Sequence, residues 1–372
     1  MKIAQIAPIV ERIPPRKYGG TERVISALTE ELVRRGHDVT LFASGDSITG
    51  ATLSSICPRS LREAGIIGER EKNGWTLRHI GAAYSRAKEF DIIHDHCGVF
   101  SLPTAELSPT PVVQTMHGAF FDHNIHVFQS LRKTHIVTIS KDQGSGLDQM
   151  NMAGTIYNGL HMEHYPFSER PGNYLLYVGR ITPQKGTHIA VQLAAELKMP
   201  LILAAKLEPD QQRYFDQDVA PYLSKNIQWI GEVNEAERNK LMSEAMCFLH
   251  PGLWREPFGL TLIEAMACGC PVVALRRGSI PEIIQDGKTG FIAESIEHMA
   301  ALIPQTASLH RRYCRQYSLG TFSAKKMADE YEKLYKLLTA RDYIDTPLAQ
   351  KPFLLTPRFS MFSSVSAKID ID

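Results

Sequence analysis

The segment TERVISALTEELVRRGHDVTLFAS, residues 21–44, decides the fold class. Val24, Ile25, Leu28, Leu32 and Val33 recur at helical spacing, Gly36 ends the helix, and DVTLFAS reads as a strand. The apolar run KIAQIAP (residues 2–8) precedes it and ends in a turn, which makes a strand–helix–strand unit. Similar pieces follow, with strands at DIIHDH (91–96), PVVQTMH (111–117) and HIVTIS (135–140). Such alternation predicts a parallel sheet with helices on both faces.

The pattern then restarts. NYLLYVGR, PLILAAK, NIQWIGEV, MCFLHP and PVVALR read as strands, with helices at GTHIAVQLAAEL, NEAERNKLMSEA, GLTLIEAMACG and SIPEII. The break falls in GLHMEHYPFSERPGN (159–173), which is polar and carries Pro and Gly. The α/β chain is therefore expected to form two doubly wound domains around a cleft, with ligands at the carboxyl edges of the strands. The expected division is 1–165, 166–316, a helix within 317–340 and an irregular tail over 341–372. In TFSAKKMADEYEKLYKLL (321–338), Met327, Tyr331, Leu334, Tyr335 and Leu338 share one helix face.

A length of 372 residues suits two domains, and 44% hydrophobic with 22% charged residues is a globular composition. The formal net charge of +1, with 17 basic against 16 acidic residues up to residue 160, argues against nucleic acid as partner and against an anionic membrane surface. No run approaches the ~20 apolar residues of a membrane span, and MKIAQIAPIVER is too short an apolar run for a signal peptide. Six scattered cysteines, mostly in apolar stretches, point to reduced thiols in a cytoplasmic protein. A monomer or homodimer without stable membrane insertion is expected.

Two motifs carry the chemistry. In YVGRITPQKGTHIAVQLA a strand ends at Gly179, Arg180 and Lys185 flank a short loop, and Gly186 opens a helix. A planar guanidinium and a mobile ammonium beside a helix N-terminus make a diphosphate clamp. In REPFGLTLIEAMACGCPVVAL (255–275), Glu256 and Glu264 stand eight positions apart around a Pro-Phe-Gly turn. Pro257 and Gly259 delay the helix to about Leu260, so the amides of Phe258, Gly259 and Leu260 are free to meet an anion. Glu256 then reaches toward a sugar, and Glu264, one turn into the helix, is left free for a ribose.

His94 and His96 alternate on one strand face and could join a metal site. With no suitably spaced carboxylate or third histidine in the sequence, a strand-end polar cluster is the preferred reading and no metal is assigned. Glu22 reads as a first-turn acid on the helix dipole, and Trp254 as a pocket wall or a core residue.

GRITPQKG followed by EPFGLTLIEAMACGCPVV resembles the signature of retaining glycosyltransferases of family 4, which have the GT-B fold. KYGGTERV, RRGHDVTLFA, TMHG and IYNG are similar to further family segments, so the likeness runs from about residue 1 to 338. It implies two Rossmann-like domains facing a central cleft, donor-binding in the C-terminal half, with a C-terminal helix crossing back to the first domain. It further implies a nucleoside-diphosphate sugar donor, uridine favoured, and hexosyl transfer without metal or other cofactor.

Carried over by residue, it implies that Gly19 and Gly20 let the backbone approach the donor phosphate or acceptor. Arg180 and Lys185 neutralise the leaving diphosphate. Glu256, Pro257, Phe258, Gly259 and Leu260 meet the sugar and distal phosphate, and Glu264 the ribose. His117 faces the sugar, and Glu232 and Val233 neighbour the base. His117, Arg180, Lys185 and Glu256 would be the catalytic set. Asn158 and Gly159 match the family's linker turn, but Leu160-His161 depart from its usual apolar-Asp continuation. A GT-B epimerase, a phosphorylase or a non-catalytic nucleotide-sugar binder would use a similar cleft.

Overall fold

A computed structural model describes residues 1–340 apart from 18, 67, 121, 148 and 149; the expected irregular tail lies outside the described residues. Seven strands form the first sheet: β1 (Lys2–Ile6), β2 (Asp38–Phe42), β3 (Thr52–Ser54), β4 (Ile92–Asp95), β5 (Val112–Met116), β6 (His135–Thr138) and β7 (Met152–Thr155). Six form the second: β8 (Leu175–Arg180), β9 (Leu201–Lys206), β10 (Ile227–Gly231), β11 (Cys247–His250), β12 (Val272–Leu275) and β13 (Gly290–Ala293).

The orders are β3-β2-β1-β4-β5-β6-β7 and β10-β9-β8-β11-β12-β13, with every pairing parallel. Each sheet winds one way and then reverses, at β1/β4 in the first and at β8/β11 in the second. Adjacent crossovers diverge at such a point and leave a crevice at the strands' carboxyl ends.

The strands are buried runs because helices cover both faces: β5 and β12 are buried at every position. In the helix Gly20–Arg34, Val24, Ile25, Ala27, Leu28 and Leu32 are buried. The helix Glu69–Tyr84 has little amphipathic pattern, carries Gly74 and Gly81, and went unread in the sequence.

Two linkers join the halves side by side. Leu160 N donates to Phe322 O (3.1 Å) and Ala324 N to Leu160 O (3.0 Å). A Cβ on Gly159 would lie 2.3 Å from Ser323 O, so only glycine permits the crossing. Tyr157, Phe258 and Phe322 pack there with ring centroids 5.8–6.2 Å apart.

A separate helix precedes the last one. Arg311–Thr321 is a separate helix on the second domain, where Ser318 Oγ donates to Ile263 O (2.6 Å). Phe322 turns the corner and Ser323 caps the helix Ala324–Leu338, its side chain accepting from Lys326 N. That helix packs on the first domain: Arg35 pairs with Asp329 (2.8 Å) and donates to Lys325 O (2.8 Å). Ser323→Ala is expected to cost about 1 kcal/mol, seen as a lower urea midpoint at unchanged m-value.

All six cysteines stand unpaired. Among the described residues no helix is long and apolar enough to cross a membrane.

Candidate active site

The two reversal points face each other across a cavity of ≈460 Å³. Its walls hold every residue expected there: Gly19, Gly20, His117, Arg180, Lys185, Glu232, Val233, Glu256, Pro257, Phe258, Gly259, Leu260 and Glu264. The two helix starts come close, since a Cβ on Gly20 would lie 3.2 Å from Leu260 Cδ1.

Glu256 lines the second-domain wall. The strand β11 ends at His250, and the following loop doubles back before the helix Leu260–Ala267. Gly259, at φ 86°, makes the left-handed step that starts this helix. Ser279 N donates to Glu256 O (2.9 Å) and Ser279 Oγ to Phe258 O (2.9 Å), which fixes the loop.

Glu256 Oε2 accepts from Lys185 Nζ (2.7 Å) and from Trp254 Nε1 (2.8 Å). His250 Nε2 stands 3.6 Å from the same oxygen and is a buried nitrogen with no hydrogen-bond partner among the described residues. Burial pushes the Glu256 carboxyl up, but the His250 imidazole and the Lys185 ammonium outweigh it and hold it down to about 2. The group is an anion at any working pH.

Lys185 ends the turn Pro183–Lys185, capped by Thr182, and its ammonium lies 4.5 Å from the Trp254 ring centroid. Arg180, on the exposed end of β8, has its carbonyl oxygen held by Tyr177 OH (3.0 Å). The structure thus arranges Lys185, Glu256, Trp254 and His250 as one cluster. His250 went unread in the sequence, where its only signal is a polar residue at a buried strand's carboxyl end.

Glu264 corrects an expectation: it is not free. Its Oε1 accepts from Arg23 Nη1 (2.6 Å) and Arg238 Nη2 (2.6 Å), with Tyr165 OH at 3.5 Å. Arg23 comes from the first domain and also reaches Glu235 (3.3 Å). A carboxylate 1% exposed requires such partners. Nothing local in the sequence marks Arg23 or Arg238, because both pairings are long-range. Lys17 and Glu232 make a looser contact across the cleft (3.9 Å).

Glu22 also lines the cavity, buried rather than displayed to solvent. Burial lifts its carboxyl to about 7, opposed by its own backbone amide, and nearby Glu11 adds to the rise. A raised acid stabilises the fold below its unfolded value, near 4.5, and that contribution is lost as pH rises through 7. Glu22→Gln is therefore expected to leave stability unchanged at pH 4 and to raise it by about 2 kcal/mol at pH 8. Urea titrations at the two pH values check this; equal effects at both would contradict it.

On the first-domain side, β4 and β5 lead to His94, His96 and His117, of which His117 lines the cavity. The rings of His94 and His96 do share a face, with centroids 4.1 Å apart, and hydrogen bonds engage both nitrogens of each. Among the described residues no group of three or more His, Cys, Asp or Glu is placed to hold a metal ion. Asn158, at the linker, also lines the cavity.

Comparison with known proteins agrees with this architecture. The family model described as Glycosyltransferase Family 4 matches residues 18–163, and that described as Glycosyl transferases group 1 matches 166–317. A phosphatidyl-myo-inositol mannosyltransferase of Mycobacterium leprae is 25% identical, over 85% of this chain and 89% of its own. A sucrose-phosphate synthase from Thermosynechococcus elongatus superposes with a TM-score of 0.76 at 20% identity, covering 91% and 98% of the two chains. Anabaena HepE, solved in complex with UDP-glucose, does so at 0.68 and 19% identity, covering 91% and 100%. The paired sheets, the cleft at their reversal points and two family models in tandem lead to one conclusion: the chain belongs to the family 4 glycosyltransferases of GT-B fold.

Proposed function

We propose that this glycosyltransferase takes a sugar from a nucleoside-diphosphate donor and passes it to an acceptor hydroxyl with retention of anomeric configuration. The observation that carries the reading is the Lys185–Glu256 pair set at the start of the helix Leu260–Ala267, at the β8/β11 reversal. A cation, a helix N-terminus and a buried carboxylate within one pocket suit a molecule with an anionic half and a polyhydroxyl half. The UDP-glucose complex of HepE supports the donor class, with uridine the favoured base.

When the anomeric C–O bond breaks, charge gathers on the diphosphate and the sugar becomes oxocarbenium-like. Lys185, Arg180 and the amides of Phe258, Gly259 and Leu260 stabilise the leaving group, an electrostatic contribution that preorganised donors make well. Glu256, kept anionic, faces the sugar and orients Lys185. The acceptor oxygen attacks on the face the diphosphate leaves, and a phosphate oxygen takes its proton. That sequence yields retention without a dedicated protein base.

A thermal-shift series with UDP, GDP and ADP and their common sugars tests the donor. One nucleotide should stabilise the chain, and its sugar form should stabilise it further. No shift with any of them would contradict the reading. A sugar form that is isomerised without acceptor, or released only to phosphate, would point instead to an epimerase or a phosphorylase.

A further inference from the structure

A continuous run of hydrogen bonds leads from the cavity wall through the first domain to the C-terminal helix. His117 Nε2 lies 2.9 Å from His96 Nδ1, and His96 Nε2 lies 2.8 Å from Gln5 Oε1. Gln5 Nε2 reaches Tyr335 OH at 3.4 Å, and Tyr335 OH lies 2.5 Å from His94 Nδ1. His94 Nε2 continues to Thr115 Oγ1 (2.7 Å), and Thr115 Oγ1 to Tyr331 OH (2.7 Å). Gln5, His94, Thr115, Tyr331 and Tyr335 are almost wholly buried, and His96 is 5% exposed. A buried network of this kind holds its members to one donor–acceptor direction.

The amide oxygen of Gln5 sets that direction because it only accepts. His96 must therefore carry its proton on Nε2. Burial, reinforced by neighbouring His94 and His117, holds His96 well below the usual imidazole range, so Nδ1 carries a lone pair. That lone pair is met by a proton on His117 Nε2. Burial likewise pushes His117 down to about 4, so its one proton is spent on His96.

We propose that Gln5 and His96 are positioning residues that hold His117 in its neutral, Nε2-protonated form, so that Nδ1 faces an incoming sugar as an acceptor only. The inference rests on the reading that His117 faces the donor sugar. It assigns a chemical class at that point: a group that can donate, such as a neutral sugar's hydroxyl, is welcomed. A group that only accepts meets lone pair against lone pair and is refused. Sites built around a specific hydrogen bond reject analogues that cannot make it far more sharply than apolar pockets reject an extra methylene.

Two measurements on the full chain decide this. The first is long-range 1H–15N correlation at pH 7 with 15N-labelled histidine, His117 being assigned from the signals lost in His117→Gln. The expected spectrum has Nε2 protonated and Nδ1 bare, with mixed tautomers in Gln5→Leu. A wild-type His117 protonated on Nδ1 would overturn the proposal, whether or not Gln5→Leu folds.

The second is calorimetric titration with UDP-glucose and its four monodeoxyfluoro analogues, in which one hydroxyl becomes an acceptor only. One analogue should bind about tenfold more weakly to the wild type, and that loss should vanish in Gln5→Leu while the relative affinities of the other three stay unchanged. An analogue profile unchanged by Gln5→Leu would overturn the positioning role. Failure to bind UDP or UDP-glucose would count against the donor reading itself, whereas the imidazole spectrum decides the state of His117 alone.

Discussion

Lys185→Ala is expected to lower kcat by about 10²–10³-fold, the range for loss of one preorganised charge donor, while UDP affinity falls by only about tenfold. The asymmetry follows from when the charge appears. In the proposed complex the ground-state diphosphate is already solvated and shared among Arg180, the helix N-terminus and Lys185. In the transition state the bridging oxygen gains a further negative charge, and the ammonium is the mobile cation able to follow it.

The variant also strips Glu256 of its 2.7 Å partner and leaves a buried carboxylate held by Trp254 Nε1 and the nearby His250 imidazole. Its titration should move up, so residual activity should acquire an acid limb that the wild type lacks. Steady-state kinetics against pH check both parts. Equal losses in kcat and affinity would mean that Lys185 only binds.

Glu264→Gln should weaken binding of the free nucleoside diphosphate by about ten- to a hundredfold, or roughly 1.4–2.8 kcal/mol. The bonds from Arg23, Arg238 and Tyr165 all fall on Oε1, so a ribose hydroxyl would take Oε2. An amide cannot accept from two guanidinium groups and a ribose together, and its NH2 would oppose an arginine. Because Arg23 belongs to the first domain, the same substitution should loosen the contact between domains. Calorimetry with UDP checks the ribose role, and unchanged affinity would remove it.

The fold was largely legible because its signals are local. Apolar runs closed by Gly or Pro gave the strands, and Val24-Ile25-Leu28-Leu32 gave a helix from spacing alone. What escaped is what spacing does not encode. Glu69–Tyr84 lacks an apolar stripe, and the short strands Met152–Thr155 and Gly290–Ala293 become strands only by pairing with neighbours.

Much of the cavity was legible for the same local reason: a large share of its second-domain wall lies in two short motifs. Its wiring was not, because Arg23 to Glu264 spans 241 positions and Tyr335 to His94 the same number, and polar contacts at such separations leave no mark in either segment. Glu256 and Glu264, read as a pair of hooks, belong to separate networks, one of which crosses to the other domain.

The most direct measurement follows a nucleotide sugar in the presence of the protein by 1H NMR, reading the anomeric proton and the released nucleoside diphosphate from the first turnover onward. The account predicts that an α-linked donor yields an α-configured product as the diphosphate is released, and that Lys185→Ala slows both signals together by about 10²–10³-fold. A β-configured product, or transfer that survives unchanged in Lys185→Ala, would contradict it.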